Sequence, residues 1–147
     1  MRNSIKKFCV QNRDIEEDKM VFILENLAVG NFSDAKSLPP EITAFLNVAE
    51  ELDLELQDKL YHKVPLKDFS PIPEEKLREA IDWIRENISK HKVLVFCNAG
   101  VGRSPSVVIS YLCSKGLKFG EAVEFVASKK PNISILPGLF ETIKRIQ

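Results

Sequence analysis

The sequence predicts a single α/β domain: one central mixed sheet of about four to five strands, flanked by helices. Short apolar, β-branched segments alternate along the chain with longer segments whose apolar residues recur at helical spacing. A glycine-containing loop separates the most apolar short segment, 92–96, from the helix that follows it. The chain has 147 residues, which is the size of one domain with one core.

Four strands and one short helix are predicted in the first half of the chain. The strands are 21–24, 27–29, 42–48 and 60–66. Ser33 is expected to cap a short helix that ends at Leu38, because Pro39 disfavours its continuation. Residues 1–19 are polar and of mixed charge. We therefore expect an N-terminal extension there and the domain itself over residues 20–147.

The second half contains the central strand and four predicted helices. Residues 92–96 are short, apolar and β-branched, which is typical of a strand buried on both faces. A helix begins at Glu74, since apolar residues follow it at intervals of four, three and four: Leu77, Ile81, Ile84 and Ile88. Three further helices are predicted over 104–115, 119–129 and 139–146.

Charge and cysteine content exclude several classes of function. Lys+Arg and Asp+Glu are 21 each, so no overall positive field attracts nucleic acid or an anionic membrane. The sequence shows no apolar run of about 18 residues and no secretory leader. Its three cysteines are too few and too widely spaced for a disulfide scaffold or a zinc site. We expect a cytoplasmic monomer that uses no metal ion or cofactor.

The loop between the central strand and its helix carries the strongest functional signal. Ligands of α/β proteins bind at the carboxyl ends of strands, and the N–H groups at a helix N-terminus attract anions. Two glycines let the backbone curl so that several N–H groups converge on one anion. The residues expected to hold phosphate are Asn98, Ala99, Gly100, Val101, Gly102 and Arg103.

Cys97 precedes this loop and Arg103 ends it. Positive potential at a helix N-terminus favours a reactive thiolate, and a guanidinium can bind two phosphate oxygens at once. The loop would thus bind a phosphate dianion and activate a nucleophile. The plainer interpretation is that Cys97 is a buried apolar thiol and the glycines form only a tight turn. It leaves unexplained why Arg103 lies in the first helical turn, where a cation is unfavourable without an anion.

The sequence Cys97-x5-Arg103-Ser104 on a strand–loop–helix resembles the motif of the protein tyrosine phosphatase superfamily. The chain length resembles that of the compact dual-specificity branch, and the resemblance extends over nearly everything after residue 20. Other segments similar to the family are 27–30, 45–48, 64–68 and 137–138.

The resemblance implies a reaction and a role for four residues. Cys97 would attack phosphorus and form a phosphocysteine, while Arg103 binds the equatorial oxygens. Ser104 would assist the thiolate as leaving group, and Asp68 would protonate the departing alcohol. Asp68 could instead be a simple turn former in a Pro-rich loop, but its position after a strand favours the catalytic role. The substrates implied are phosphoproteins, with phosphotyrosine and phosphoserine or phosphothreonine both admitted.

Phe96 and Leu136 depart from the family pattern, and Cys113 is a further thiol whose place has to be predicted. Phe96 stands where relatives usually carry a His whose hydrogen bonds hold the loop, and Leu136 stands where many carry an Asn that braces it. The resemblance therefore implies a less firmly braced loop and an activity optimum at neutral or mildly alkaline pH. Cys113 is expected in the core rather than as a disulfide partner of oxidised Cys97.

Alternative functions stay open at this point. The loop is similar to that of phosphoglucan phosphatases, although 147 residues leave no room for an added carbohydrate-binding module. A pseudophosphatase would hold phosphorylated partners without turnover, which Phe96 favours and the retention of Cys97 with Asp68 opposes. Phosphoinositides are disfavoured because relatives that act on them place Lys in the loop. RNA 5′-phosphates are disfavoured by the zero net charge.

Overall fold

The structure, a computed structural model, describes residues 19–147. The expected N-terminal extension over residues 1–19 therefore lies outside the described residues, apart from Lys19. Within the described part, the strands are β1 (Val21–Leu24), β2 (Leu27–Asn31), β3 (Ala44–Asn47), β4 (Leu60–Lys63) and β5 (Val93–Cys97). The helices are α1 (Phe32–Lys36), α2 (Glu74–Asn87), α3 (Arg103–Ser114), α4 (Phe119–Lys129) and α5 (Leu139–Ile146).

The five strands form one sheet in the order β1-β2-β5-β3-β4. β1 is antiparallel to β2, and the other neighbouring strands are parallel. The predicted single mixed sheet is therefore confirmed. β5 lies at its centre, where Val95 pairs with Val29 on one side and Leu46 on the other. All five residues of β5 are buried, as expected for a strand covered on both faces.

The two faces of the sheet pack against different layers. Val93, Val95 and Cys97 belong to the larger apolar cluster, which the sheet shares with α2, α3, α4 and α5. Leu94 and Phe96 point the other way, into a smaller cluster that includes residues of α1 and of the β3–β4 connection. This alternation follows from the two-residue period of a strand. It places the Cys97 side chain on the face that α3 covers.

Three parallel strands end at one edge of the sheet. Asn31 of β2 lies level with Cys97 of β5, and Asn47 of β3 lies level with Phe96. The segments that follow these strands therefore meet at this edge, which is where α/β proteins build ligand sites.

Two local predictions were wrong. Asn31, and not Ser33, caps α1: its Oδ1 accepts from the N–H of Asp34 at 2.8 Å, and Asp34 Oδ2 accepts from the N–H of Asn31 at 2.9 Å. This reciprocal pair satisfies two free donors at the helix start. β4 ends at Lys63 rather than Leu66, since Pro65 has no N–H to continue the ladder.

Candidate active site

The loop between β5 and α3 curls tightly against the end of β2. Gly100 has a φ of +77°, a left-handed conformation that favours glycine. A Cβ on Gly100 would lie 3.0 Å from the carbonyl oxygen of Gly30 and 3.1 Å from the nitrogen of Asn31. Glycine is therefore required both by the backbone angle and by the close approach of β2.

Cys97 lies at the base of this loop and is 2% exposed. The N–H of Ser104, in the first turn of α3, donates to Cys97 Sγ at 3.4 Å, and the Ser104 hydroxyl oxygen lies 3.2 Å from the sulfur. The hydroxyl also donates to the carbonyl of Gly30 at 3.3 Å. Ser104 therefore contacts the sulfur through both its backbone N–H and its hydroxyl group.

The guanidinium of Arg103 is buried beside the loop and is 2% exposed. Its Nη1 donates to Glu51 Oε1 at 2.6 Å and its Nη2 donates to Glu51 Oε2 at 2.7 Å. Nη1 also donates to the carbonyl of Leu66 at 3.0 Å. The hydrogen bond from Arg103 is the largest cause that lowers the pKa of Glu51 to about 2, and Glu51 in turn raises the pKa of Arg103.

Asp68 approaches Arg103 from the loop between β4 and α2. Its Oδ2 lies 3.7 Å from Arg103 Nη2, and its Oδ1 accepts from the N–H of Phe69 at 3.0 Å. Oδ1 is also 3.3 Å from the point where a Cβ on Gly102 would lie. The structure thus brings Cys97, Arg103, Ser104 and Asp68 to one edge of the sheet.

The remaining predicted phosphate-binding residues form the loop itself. Asn98 and Ala99 are exposed, Val101 is partly exposed, and Gly100 and Gly102 are buried. Ser134 anchors the loop from outside, because its N–H donates to the Val101 carbonyl at 2.7 Å. A loop with a buried base and an exposed rim can present N–H groups to an anion that arrives from solvent.

Sequence reasoning missed two residues that contact this site. Glu51 follows β3, and only the strand order places it beside Arg103; the available signal was an acidic residue just after a buried strand. Ser106 is buried in α3, and its Oγ accepts from the N–H of Leu136 at 3.0 Å. That bond ties α3 to the segment before α5.

The two departures from the family pattern have structural substitutes. The Phe96 ring stacks on Phe32 with 6.4 Å between ring centroids, and the N–H of Phe32 donates to the carbonyl of Asn98 at 3.3 Å. Leu136 lies 3.6 Å from the Cβ position of Gly102. Apolar packing and backbone hydrogen bonds therefore support the loop at the two positions where the resemblance implies polar side chains.

Cys113 lies far from Cys97 along α3. The nitrogen of Ser104 is 3.4 Å from Cys97 Sγ, and Cys113 follows Ser104 by nine residues, so a rise of about 1.5 Å per residue separates these two helix positions by roughly 14 Å. Cys113 is 5% exposed, and burial raises the pKa of its thiol. The core position expected from the sequence is confirmed, and the distance is too great for a disulfide with Cys97.

Within residues 19–147, no group of three or more His, Cys, Asp or Glu side chains could hold a metal ion. No helix within the same residues has both the length and the apolar character to cross a membrane.

Comparison with known proteins identifies the class of this fold and site. Residues 27–147 match the family model for the dual specificity phosphatase catalytic domain. Human dual specificity protein phosphatase 15 is 30% identical over 129 residues, which cover 83% of this chain and 44% of that protein. Human dual specificity protein phosphatase 9 is 36% identical over 124 residues, which cover 78% of this chain and 32% of that protein.

Solved structures support the same class of protein. DUSP15 matches with a TM-score of 0.78 and 28% identity, over 87% of this chain and 86% of that chain. The active form of Tk-PTP matches with a TM-score of 0.76 and 25% identity, over 87% of this chain and 95% of that chain. The chain therefore belongs to the dual-specificity phosphatase family. It spans about half the length of the first curated relatives that it matches.

Proposed function

We propose that the chain hydrolyses phosphate monoesters on proteins through a phosphocysteine intermediate at Cys97. The observation that carries this proposal is the buried guanidinium of Arg103. Two of its nitrogens bind Glu51, whereas its Nε has no hydrogen-bond partner among residues 19–147. A buried donor on a charged group is costly to leave unpaired. A phosphate oxygen beside the Cys97 loop would supply that partner.

Binding would rest on a preorganised set of donors. The N–H groups of residues 98–103 surround the phosphate, and Nε of Arg103 adds a charged donor from the side. Glu51 holds the guanidinium plane through two bonds of 2.6 and 2.7 Å, so little reorganisation is needed when the anion arrives. Donors fixed in advance around a developing negative charge are an effective source of transition-state stabilisation.

The first chemical step transfers the phosphoryl group to sulfur. Cys97 Sγ attacks phosphorus, an S–P bond forms, and the ester P–O bond breaks. Asp68 gives its proton to the departing oxygen, so the product leaves as a neutral alcohol. The 3.7 Å separation between Asp68 Oδ2 and Arg103 Nη2 supports this role, because a phosphate bound by Arg103 would then lie close to the carboxyl group.

The second step releases phosphate. Water attacks phosphorus, the Asp68 carboxylate takes a proton from that water, and the S–P bond breaks with its electron pair returning to sulfur. Ser104 supports this step, since its N–H and its hydroxyl oxygen lie 3.4 and 3.2 Å from Cys97 Sγ. Hydrogen bonds to the sulfur stabilise the thiolate as it leaves. No metal ion or cofactor is needed in either step.

The substrates we propose are phosphoproteins, with phosphotyrosine and phosphoserine or phosphothreonine both accepted. The names of the relatives, dual specificity protein phosphatases, support this class. A reduced thiol at Cys97 is essential to the mechanism. We therefore place the protein in the cytoplasm, where thiols stay reduced.

A trapping experiment tests the proposal. Wild type, Cys97→Ser and Cys113→Ala are mixed with a phosphotyrosine peptide, quenched in acid and examined by intact-mass spectrometry and phosphate release. Wild type should release phosphate and carry one phosphoryl group on Cys97. Cys97→Ser should do neither, while Cys113→Ala, a change at the other buried thiol, should behave as wild type.

Other results would favour other functions. Turnover that persists in Cys97→Ser would exclude a cysteine nucleophile. Tight binding of the peptide by wild type without any turnover would identify a pseudophosphatase. Faster phosphate release from phosphorylated amylopectin than from every phosphopeptide would identify a phosphoglucan phosphatase.

A further inference from the structure

Lys63, the last residue of β4, binds the backbone on both sides of Glu51. Its Nζ donates to the carbonyl of Leu52 at 2.6 Å and to the carbonyl of Glu50 at 3.1 Å. A third bond, at 2.8 Å, goes to Asp53 Oδ1. The two bonds thus hold the carbonyl groups of the residues before and after Glu51.

The segment held by Lys63 is also connected to Arg103 by a shared acceptor. The N–H of Glu50 donates to the Leu66 carbonyl at 3.1 Å, and Arg103 Nη1 donates to the same oxygen at 3.0 Å. Asn47 adds a second donor to the Leu52 carbonyl, at 2.8 Å. Glu51 is therefore presented by a turn whose backbone is fixed at each neighbouring residue.

The two bonds to carbonyl groups, rather than the ion pair with Asp53, are the contacts by which Lys63 holds the turn at Glu51. The side chain of Asp53 is 88% exposed, whereas that of Lys63 is 23% exposed. Solvent-exposed ion pairs contribute little because water screens them. The bond from Lys63 to the Leu52 carbonyl is partly buried, and a hydrogen bond from a charged donor contributes more there than at the surface. Its loss leaves the Leu52 carbonyl with Asn47 as its remaining donor.

We propose that Lys63 is a positioning residue for phosphate binding. It fixes the turn that presents Glu51, Glu51 fixes the plane of the Arg103 guanidinium, and that plane sets the direction of the Nε that meets the anion. This inference rests on the proposed function and names a residue that supports the same site. It assigns a role to a side chain that touches neither the substrate nor the reacting atoms.

Loss of the ammonium should act on oxyanion binding first. Without its two carbonyl bonds the turn at Glu51 is free to move, and the guanidinium is no longer held in one plane. We expect Lys63→Met to weaken tungstate binding on the order of tenfold, the scale expected for lost hydrogen bonds from a charged donor. Lys63→Arg, which keeps a cation, should recover part of this loss.

The test introduces Lys63→Met into the wild-type protein and into the Glu51→Gln variant. For each protein, calorimetry measures the affinity for tungstate, and a second assay measures the competition of tungstate with a phosphopeptide. In wild type the change should weaken binding as stated. In Glu51→Gln it should have less than about a twofold effect, because residues that act through one another are not additive. A simple loss of positive charge near the site would give the same effect in both backgrounds and would shrink with added salt.

Lys59→Met is the matched control, because Lys59 Nζ also donates to a backbone carbonyl, that of Ile42, at 2.8 Å. Lys59→Met should change tungstate affinity by less than about twofold. Asp53→Asn, which removes the exposed ion pair, should also change it by less than about twofold. Thermal melting of each variant confirms that it is folded.

Three results would overturn the inference. If wild type hydrolyses the peptide and binds tungstate but Lys63→Met matches Lys59→Met, the inference alone fails. An equal effect of Lys63→Met in the Glu51→Gln background also removes it. If wild type neither hydrolyses the peptide nor binds tungstate, the proposed function fails and this inference fails with it.

Discussion

The carboxylate of Glu51 binds the guanidinium of Arg103 through two parallel hydrogen bonds, of 2.6 and 2.7 Å. This fork geometry fixes the plane of the guanidinium as well as its position. It also compensates the charge of an arginine that is only 2% exposed. The pair accounts for how the fold keeps a buried cation in one orientation beside the Cys97 loop.

Replacing Glu51 with Gln should lower kcat/KM. It should also lower the free energy of unfolding, by an amount that depends on pH. The hydrogen bond from Arg103 lowers the pKa of Glu51 from 4.5 to about 2. A lowered pKa in the folded state stabilises the fold above about pH 4.5, and this contribution is lost as the pH falls toward 2. The difference in unfolding free energy between wild type and Glu51→Gln, from urea titrations, should therefore be constant above pH 5 and shrink below it.

Glu74→Gln provides the control for that titration. Glu74 also binds an arginine, Arg145, at 2.8 Å, but both side chains are well exposed, so its loss should change stability little. A wild-type advantage over Glu51→Gln that grew as the pH fell toward 2 would contradict the account.

Asp68→Asn should reduce kcat by about 10²- to 10⁴-fold for a phosphopeptide and leave KM nearly unchanged. The amide cannot give a proton to the departing oxygen. The loss should be much smaller with 4-nitrophenyl phosphate, whose leaving group needs little protonation. Steady-state kinetics with both substrates checks this, and equal losses on both would exclude Asp68 as the proton donor.

Gly100→Ala should reduce stability and abolish most activity. Its φ of +77° and the Gly30 carbonyl 3.0 Å from the added Cβ both oppose a side chain. Gly120, in α4, has nothing within 4 Å of its Cβ position. Gly120→Ala should therefore raise stability by about 0.5–1 kcal/mol through helix propensity alone. Thermal melting and turnover of both variants test this contrast, and equal behaviour would contradict the close-packing argument.

The ring of Phe69 should give the protein a preference for phosphate esters of aromatic side chains over those of aliphatic ones. It follows Asp68, is 85% exposed and has a φ of +59°, a conformation that is uncommon for a bulky residue. A ring beside the site can stack on the ring of phosphotyrosine, which phosphothreonine lacks. Phe69→Asn tolerates this backbone angle and removes the ring.

Paired peptides that differ only in phosphotyrosine or phosphothreonine measure this preference. The variant should lose about threefold to tenfold more kcat/KM on the phosphotyrosine peptide, mainly through KM. Leu38→Asn is the control, since Leu38 is also exposed and has a φ of +51°. Equal losses on the two peptides would exclude Phe69 as a determinant of specificity.

The parts of the site that the sequence predicted are local in the chain. Cys97, Arg103 and Ser104 belong to one strand, loop and helix, so periodicity and two glycines were enough to place them together. Asp68 lies 29 residues before Cys97, and the family resemblance was needed to connect the two. The structure brings all four side chains to one edge of the sheet.

The parts that sequence reasoning missed depend on strand order. β3 lies beside β5, and this neighbourhood brings Glu51 to Arg103. β4 lies on the other side of β3, which brings Lys63 to the backbone around Glu51. Charge patterns along the chain do not encode which strands are adjacent. The capping error at α1 is different, because Asn31 and Asp34 are three residues apart, a spacing typical of a capping box, and the signal was present in the sequence.

A crystal structure of the wild-type protein with tungstate is the direct test of an oxyanion site at Cys97 and Arg103. We expect one oxyanion above Cys97 Sγ, surrounded by the N–H groups of residues 98–103 and bound by Arg103 Nε while Glu51 keeps its two bonds. Tungstate bound elsewhere, with the loop and Arg103 Nε making no contact to it, would show that the loop is not the phosphate site.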